Sequence, residues 1–354
     1  MKACVLYGIQ NIKIDNVPLP EPAPSEVVVE VKAAGICGSD IPRIYDTGAH
    51  KHPLILGHEF SGKVIQVGKN VENRWLHQRV GVFPLIPCKN CEACQHQQYE
   101  MCKNYDYLGS RRNGGFAQFV AVPEWNLIQL PDNVSFEQGA MLEPMAVAVH
   151  AIRKAAPKPE DTILILGLGT IGLLIVMFLL ELGINHIYVV GNKEYQQQYI
   201  EKLGLSKSHF CNTKEVHVKD WIMDHTNLKG ANIVFECVGS NDTIQQSLEM
   251  AANMGKVVFV GNPRSDILLQ KMTYWNILRK QLTLVGTWNS SFWHQKNDDW
   301  HYVLSKLEQN KVKPDNLITH KLLLDDLLQG FELMKNKRQE YIKVMMISVN
   351  EDSK

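Results

Sequence analysis

The sequence lacks a net charge, a long apolar run and a stretch typical of a secretory signal. Lys and Arg together number 37, and so do Asp and Glu, so no overall field attracts nucleic acid or anionic lipid. The longest apolar run, residues 171–180, is too short to span a bilayer. The opening MKACVLYGI reads as a strand, not as a signal peptide. These absences predict a cytoplasmic protein that has no nucleic-acid partner and no membrane partner.

Length and composition place the chain among ordinary globular proteins. Its 354 residues favour two domains over one, and 45% hydrophobic with 21% charged residues provides an ample core. Eight cysteines occur without a secretory signal, which favours thiols or metal ligands over a disulfide framework. Any acidic ligand must be bound by locally placed cations, because the net charge is zero.

The hydrophobic pattern changes once along the chain. Short β-type runs broken by Pro and Gly, such as EVVVEVKAAGI and GKVIQVG, predict a small antiparallel barrel in the N-terminal part. After AAPKPED the runs alternate between strand and helix, which predicts a parallel βαβ domain. Two helices and two strands follow from Thr287. We therefore predict an α/β protein with a catalytic domain over residues 1–150 and 287–354 and a dinucleotide-binding Rossmann domain over 151–286.

A glycine motif, LGLGTIG, follows the predicted strand TILIL and precedes a long apolar helix. Its spacing is G-x-G-x-x-G, in which the glycines allow a tight turn, close approach of a pyrophosphate and close packing of helix on strand. Glycines that serve only a tight turn are the alternative. The predicted cofactor-binding residues of this loop are Gly167, Gly169, Thr170, Ile171 and Gly172.

A cysteine run, PCKNCEACQHQQYEMC, has the spacing C-x2-C-x2-C-x7-C. Short loops of this kind bring four thiolates around one tetrahedral centre, which suits a structural zinc ion. Iron–sulfur ligation uses other spacings, and four free surface thiols are the remaining alternative. The run predicts a zinc lobe at about residues 86–104, with ligands Cys88, Cys91, Cys94 and Cys102.

A second constellation comes from three separate parts of the chain: Cys37 in GICGSD, His58 in GHEF and Glu143 in MLEPMAV. Three ligands of mixed S, N and O character fit a catalytic zinc ion that keeps one position open for substrate. Asp40 is a candidate for holding the His58 imidazole in its ligating tautomer. The alternatives are a core cysteine, a surface His–Glu pair and a turn-forming aspartate.

Together these motifs resemble those of the zinc-dependent medium-chain dehydrogenase family, and the likeness covers essentially the whole chain. The segments CGSDIPRIYDTGAHKHPLILGHEFSG and YLGSRRNGGFAQF are similar to its polyol-phosphate branch. The resemblance implies a chaperonin-10-like barrel beside the Rossmann domain, and one catalytic and one structural zinc ion per chain. It makes Glu59 an alternate or exchanging metal ligand and Ser39 the first hydroxyl of a proton relay. Many members have a relay His five residues after the ligand cysteine, where this chain has Pro42.

The same resemblance implies an NAD(P)-dependent dehydrogenase that interconverts a secondary alcohol of a polyol phosphate and a ketose phosphate. The alternatives are an unphosphorylated polyol of the sorbitol or xylitol type and a catalytically silent nucleotide-binding relative. A homodimer is expected, with a tetramer as the other possibility. The candidate phosphate-binding cations lie on predicted loops and are Arg43, Lys51, Arg111 and Arg112.

The sequence also lacks the acidic residue that usually binds the adenosine ribose. Gly191, followed by Asn192 and Lys193, lies 24 residues after Gly167, near the spacing at which Asp or Glu binds the adenosine ribose. Without that carboxylate nothing repels a 2′-phosphate, and Asn192 and Lys193 are able to bind one. We predict that NADP is preferred and NAD possible, and we expect Gly191→Asp to shift the preference toward NAD.

Overall fold

The computed structural model describes residues Met1–Ser348, and its strands and helices follow in chain order. The strands are β1 Lys2–Gly8, β2 Asn11–Asn16, β3 Glu26–Gly35, β4 Leu54–Ile55, β5 Glu59–Val67, β6 Arg79–Val82, β7 Leu85–Ile86, β8 Asp106–Tyr107, β9 Phe119–Pro123, β10 Leu127–Gln129, β11 Ile163–Leu166, β12 Ile187–Gly191, β13 Phe210–Asn212, β14 Ala231–Glu236, β15 Ala251–Phe259, β16 Thr283–Gly286, β17 Ile318–Leu322 and β18 Lys343–Ile347. The helices are α1 Asp40–Pro42, continued by a π-helical turn over Arg43–Thr47, α2 Glu92–Gln95, α3 Phe136–Ala140, α4 Leu142–Ala155, α5 Thr170–Glu181, α6 Glu194–Lys202, α7 Val218–His225, α8 Asn241–Met250, α9 Lys271–Arg279, α10 Asp299–Glu308 and α11 Leu327–Asn336.

The chain forms two compact units. The first comprises Met1–Pro144 together with the chain from Ser291 onward, and the second comprises Met145–Ser290. No helix within residues 1–348 is both long and apolar enough to cross a membrane.

The first unit is built on antiparallel β-structure. Its main sheet has the order β10-β6-β5-β3-β18-β17, with β9 also paired to β3, and only β17 and β18 run parallel to each other. A smaller sheet has the order β2-β1-β4. In β3 the side chains of Val27, Val29 and Val31 alternate into the core, because successive residues of a strand point to opposite faces.

The second unit contains a six-stranded sheet in the order β13-β12-β11-β14-β15-β16, and every pairing is parallel. Counted from β11 this is the order 3-2-1-4-5-6 of doubly wound dinucleotide-binding folds. Strand β11 is buried along its whole length, which explains its continuous apolar run ILIL. The chain passes through one helix between successive strands of this sheet, from α5 to α9. The predicted parallel βαβ domain is confirmed.

Strand β18 carries residues from near the end of the described chain into the first unit. It pairs antiparallel with β3, and Met345 lies opposite Gly35. Strand β3 also pairs with β5 on its other side, where Gly35 lies opposite Glu59. The C-terminal strand is therefore one strand away from the residues that the sequence marks as metal ligands.

Candidate metal and cofactor sites

The four cysteines of the predicted lobe lie together. The Sγ of Cys94 is 3.5 Å from that of Cys91 and 3.9 Å from that of Cys88, and Cys91 and Cys102 are 3.9 Å apart. Four thiolates at about 2.3 Å from one zinc ion are separated by about 3.8 Å, whereas a disulfide requires about 2.05 Å. The sulfur positions therefore fit one tetrahedral zinc ion, and all four cysteines are free thiols.

Local backbone structure fixes these sulfur atoms. Cys91 precedes α2, Cys102 ends a 3-10 turn, and the backbone N–H of Cys88 donates to the Cys102 Sγ at 3.3 Å. Backbone N–H groups of Cys94 and Lys103 lower the pKa of the Cys91 thiol to about 6. Burial instead raises the pKa of Cys94 to about 12. Amide donors that stabilise a thiolate prepare it as a metal ligand.

The second predicted constellation also has a compact centre. Ligand atoms of Cys37, His58 and Glu59 all lie within 4.8 Å of one another. Cys37 follows β3, and His58 and Glu59 stand where β5 begins, so the antiparallel pairing of the two strands brings them together. Gly35 is required here, because a Cβ at that position would overlap the Glu59 carboxylate.

Asp40 links the cluster to its surroundings. Its Oδ2 accepts the backbone N–H of Cys37 at 3.0 Å, and its Oδ1 accepts from the Arg43 guanidinium at 3.1 Å. The His58 Nδ1 lies 3.6 Å from Oδ1, beyond hydrogen-bond range, and within residues 1–348 this buried nitrogen has no hydrogen-bond partner. Such an atom is costly unless a metal ion or the nearby carboxylate engages it. The role of Asp40 as the partner of His58 remains a prediction.

Glu143 lies beside this centre but outside the group of three. It stands in the first turn of α4, and its Oε1 is 3.5 Å from the hydroxyl of Tyr107. Burial raises the pKa of Glu143 to about 8. The charges of Glu59 and Cys37 act in the same direction, and the charge of His58 acts against them. Burial, Glu59 and Asp40 likewise raise the pKa of Cys37 to about 11.

The donor set itself tests the fit to a cation. A half-buried thiol and two buried carboxyl groups at one place repel each other once ionised, and a divalent cation removes that repulsion. The residues therefore fit a metal ion bound through Cys37, His58 and a carboxylate. In the structure the carboxylate grouped with the ligand atoms of Cys37 and His58 is that of Glu59, and the assignment of Glu143 as third ligand remains a prediction.

Lys343 is a site residue that the sequence analysis missed. Its side chain is 2% exposed, and its ammonium donates to the Glu59 carboxylate and, at 3.1 Å, to the carbonyl of Ile36. Burial opposes its charge, but Glu59 and Cys37 outweigh burial and raise the pKa of Lys343. The available signal was a lysine within the apolar sequence segment YIKVMMISV, because a buried lysine requires a partner.

The glycine loop has the geometry that the motif predicts. Gly167 has a φ of +96°, and a Cβ there would meet the Val238 side chain at 2.5 Å. A Cβ at Gly172 would overlap the carbonyl oxygen of Gly167, so the helix approaches the loop closely. Gly169 precedes α5, whose first residues are Thr170 and Ile171. The N-terminus of α5 therefore follows the loop directly, as pyrophosphate binding requires.

The residues that were predicted to bind the adenosine ribose lie at the end of β12. Gly191 is its last residue, Asn192 is exposed, and Lys193 is half-buried immediately before α6. Leu166 and Val190 are paired in adjacent parallel strands. The two predicted cofactor loops thus leave neighbouring strands at the same edge of the sheet.

The candidate phosphate-binding cations differ in their surroundings. Arg112 is committed to Glu26, at 2.6 Å, and Lys51 is exposed on a loop. The Arg111 guanidinium lies 4.6 Å from the centroid of the Tyr105 ring, and its buried Nε has no hydrogen-bond partner within residues 1–348.

Two of these arginines, Arg43 and Arg111, affect the pKa of the same histidine. Arg43 donates to Asp40, and the backbone of Arg111 donates to the carbonyl of Tyr107 at 2.9 Å. Burial, and then the charges of Arg111 and Arg43, lower the pKa of His50. Both guanidinium groups therefore act on one imidazole. Ser39 is half-buried, and it opposes the rise in the pKa of the Cys37 thiol.

Comparison with known proteins defines the class. Residues 23–132 match the alcohol dehydrogenase GroES-like domain, and residues 170–309 match the zinc-binding dehydrogenase domain. The chain therefore belongs to the zinc-binding medium-chain dehydrogenases, which are oxidoreductases of the alcohol and polyol type. This confirms the predicted family, the predicted fold class and the predicted use of zinc.

Individual relatives are polyol and polyol-phosphate dehydrogenases. Galactitol 1-phosphate 5-dehydrogenase of Escherichia coli K12 is 33% identical over 86% of this chain and 88% of its own length. Sorbitol dehydrogenase of Bacillus subtilis is 28% identical over 98% and 97%. The crystal structure of galactitol-1-phosphate dehydrogenase from Escherichia coli has a TM-score of 0.91 at 30% identity, covering 98% and 100% of the chains. A zinc-binding dehydrogenase from Sinorhizobium meliloti 1021 bound to NADP has a TM-score of 0.89 at 27% identity, covering 98% and 99%.

Proposed function

We propose that this dehydrogenase interconverts a secondary alcohol of a polyol phosphate and the corresponding ketose phosphate, with NADP(H) preferred and NAD(H) possible. The observation that carries the proposal is the cluster of half-buried Cys37 with buried His58 and Glu59. Arg43 is joined to it through Asp40, which accepts from both Cys37 and Arg43. The 33% identity to a galactitol 1-phosphate dehydrogenase supports the phosphorylated substrate.

In the proposed site Cys37, His58 and Glu143 hold the catalytic zinc ion, and Glu59 is the exchanging ligand. Zinc in such a site acts as a Lewis acid that lowers the pKa of a substrate hydroxyl and polarises a ketone. Lys343 holds the Glu59 carboxylate by a buried ion pair, so Lys343 and a zinc ion would compete for that carboxylate. Asp40 orients Cys37 through its backbone N–H.

Proton movement is assigned to Ser39, which follows Cys37 by two residues and lowers the pKa of its thiol. The proton leaves the substrate hydroxyl during oxidation and returns through Ser39 during reduction. Pro42 carries no ionisable group, so the next proton carrier after Ser39 is water or another side chain. The residues around Gly167 and Gly169 would hold the dinucleotide, whose nicotinamide would supply the hydride acceptor or donor for the substrate carbon.

Recognition of the phosphate is assigned to Arg43 and Arg111. Guanidinium groups offer paired donors that match phosphate oxygens. Arg111 supports this assignment because its buried Nε lacks a hydrogen-bond partner in the described part of the chain. Arg112 is the weaker candidate, because its guanidinium already forms an ion pair with Glu26. The second candidate function, oxidation of an unphosphorylated polyol, is supported by the full-length likeness to sorbitol dehydrogenase.

The cofactor preference is assigned to Gly191, Asn192 and Lys193. No carboxylate stands at position 191 to repel a 2′-phosphate, and the exposed Asn192 and half-buried Lys193 offer a donor and a positive charge. The similar structure from Sinorhizobium meliloti contains NADP, which supports the same preference here.

A homodimer is proposed through the second unit, with a tetramer as the alternative. Strand β16 is an edge strand that pairs only with β15 among the described strands, and its Leu284 is 44% exposed. Helix α9 precedes it and exposes Met272 and Trp275. An apolar edge of this kind is suited to pairing with a second copy. Sedimentation equilibrium of the wild type and of Leu284→Lys tests the proposal, and a wild-type monomer would contradict it.

The deciding experiment crosses substrates with cofactors. The zinc-loaded protein is assayed with phosphorylated and free forms of the same polyols, each with NADP and with NAD, by the absorbance of the reduced nicotinamide. The expected result is the highest kcat/KM for a polyol phosphate with NADP. Higher kcat/KM for every free polyol would favour the sorbitol-type function, and higher kcat/KM with NAD would refute the cofactor preference.

A further inference from the structure

Gln196 connects the two predicted cofactor loops of the second unit. It is the third residue of α6, and its side chain is buried although it is polar. Its Oε1 accepts the backbone N–H groups of Asn192 at 3.0 Å and Lys193 at 3.1 Å. Its Nε2 donates to the carbonyl of Leu168 at 3.0 Å. Leu168 lies between Gly167 and Gly169, so one amide side chain joins the glycine loop to the turn after β12.

The same side chain restricts position 191. A Cβ built on Gly191 would overlap the Gln196 Oε1 and would lie 3.1 Å from the Gln196 Cδ. The Phe210 ring closes the other side at 2.9 Å. Real Cβ atoms do not approach heavy atoms this closely, so residue 191 has no room for a side chain while Gln196 keeps its three hydrogen bonds. The shift of preference toward NAD that is expected of Gly191→Asp therefore requires that the new side chain first finds room at position 191.

Gln196 also accepts hydrogen bonds from backbone N–H groups of the turn that could otherwise bind an anion. The first N–H groups of a helix and of the turn before it are the usual donors to a phosphate. Here the N–H groups of Asn192 and Lys193 are directed at the Gln196 Oε1, in the manner of the third residue of a capping box. A phosphate at this turn is therefore met by the side chains of Asn192 and Lys193 and not by their backbone amides.

We propose that Gln196 is a positioning residue that joins the two cofactor loops and keeps position 191 restricted to glycine. It holds the turn in a form that admits only glycine at position 191, and so excludes the ribose-binding carboxylate. It also leaves recognition of a 2′-phosphate to two side chains. The inference rests on the proposed NADP preference, because it explains why the turn has no room for a ribose-binding carboxylate at position 191.

The test is a double-mutant cycle on Gly191 and Gln196 in the zinc-loaded protein. Dissociation constants of NADP⁺ and NAD⁺ are measured by titration calorimetry for the wild type, Q196A, G191D and G191D/Q196A. We expect Q196A to weaken both cofactors about ten-fold, because the loops lose their shared hydrogen bonds, and to change the ratio of the two constants less than about two-fold. G191D alone is expected to weaken both cofactors.

The double variant shows whether G191D binds NAD⁺ poorly because its side chain lacks room or because a carboxylate at position 191 does not favour NAD⁺. In G191D/Q196A the Gln196 contacts are gone, and only the Phe210 ring still has to shift to admit the new side chain. NAD⁺ is then expected to bind about ten-fold more tightly than in G191D, with the preference reversed toward NAD⁺. The control is Q198A on the same helix, where Gln198 is exposed, and it is expected to change neither constant. Thermal unfolding of each variant shows whether the fold is retained.

Two results would overturn the inference. One is that G191D alone binds NAD⁺ as tightly as the double variant does, because position 191 then has room beside Gln196. The other is that Q196A binds both cofactors as the wild type does. A wild type that prefers NAD⁺ would instead refute the proposed cofactor preference, while the coupling between positions 191 and 196 would still decide the role of Gln196.

Discussion

The ammonium of Lys343 donates a hydrogen bond to the carboxylate of Glu59, and each of the two side chains is only 2% exposed. The two residues are 284 positions apart, and the pairing of β18 with β3 and of β3 with β5 brings them together. Glu59 also lies within the cluster of Cys37 and His58. One buried ion pair therefore joins the C-terminal strand to the candidate metal centre.

Removal of this lysine should leave a buried charge without its partner. We expect Lys343→Met to lower the free energy of unfolding by about 3–5 kcal/mol, measured by urea unfolding at fixed zinc concentration. Lys343→Met combined with Glu59→Gln should lose much less, because neither charge then remains. Lys321→Met is the control, since Lys321 and Glu137 form an exposed pair at 2.9 Å that is expected to contribute less than about 1 kcal/mol. Equal losses in the two lysine variants would contradict the prediction.

The cysteine lobe should hold a zinc ion that supports the fold. We expect Cys94→Ser to retain about one of two zinc ions per chain and to unfold at a lower temperature, because metal binding contributes to folding free energy. Cys37→Ser should also lose one zinc ion, but with a smaller loss of stability and a complete loss of turnover. Metal analysis and thermal unfolding measure both effects. A wild type with a single metal ion that disappears only in the Cys37 or His58 variants would show that the lobe holds none.

Substitutions in the catalytic centre should lower turnover without unfolding the protein. His58→Ala and Glu143→Ala are each expected to lower turnover by several orders of magnitude while NADP⁺ binding is kept, because the cofactor loops belong to the second unit. Tyr107→Phe is the matched variant: it removes the hydroxyl 3.5 Å from Glu143 and keeps the ring that packs edge-on against His58. It should lower turnover less than about ten-fold. Retained activity in either alanine variant would refute the zinc mechanism.

The two neighbouring arginines should act differently on phosphorylated substrate. Arg111→Ala is expected to lower kcat/KM for a polyol phosphate about ten- to a hundred-fold and to leave that for the free polyol unchanged, as loss of a charged hydrogen bond predicts. Arg112→Ala should affect both substrates equally, because Glu26 occupies Arg112. The same kcat/KM ratio between the two substrates in both variants would exclude Arg111 from phosphate recognition.

Arg43 requires a separate expectation. Its guanidinium donates to Asp40, which in turn accepts the backbone N–H of Cys37. Arg43→Ala should therefore reduce kcat for phosphorylated and free polyols alike, in addition to any effect on phosphate binding. Arg43→Lys keeps the charge but not the forked donors, so it should restore kcat only in part. An unchanged kcat in Arg43→Ala would show that this arginine does not position the metal centre.

Short-range patterns were sufficient for several features of this protein. The spacing of Cys88, Cys91, Cys94 and Cys102 specifies a common centre, because short loops limit how far the thiols can separate. The context of Gly167 and Gly169, between an apolar strand and a helix, specifies a βα turn of the dinucleotide-binding type. These features depend on residues that are near one another in the chain, so the sequence alone determined them.

Contacts between distant segments decided the rest. Lys343 contacts Glu59 only because β18 pairs with β3 in the sheet. In the sequence, Lys343 is a single charged residue within an apolar run, and nothing near it in the chain indicates its partner. Gln196 looks like one of three glutamines on a polar helix, and only the packing of α6 on the two loops directs its amide at Leu168 and Asn192. Hydrogen bonds and ion pairs of buried groups depend on geometry in three dimensions, which residue type and spacing do not specify.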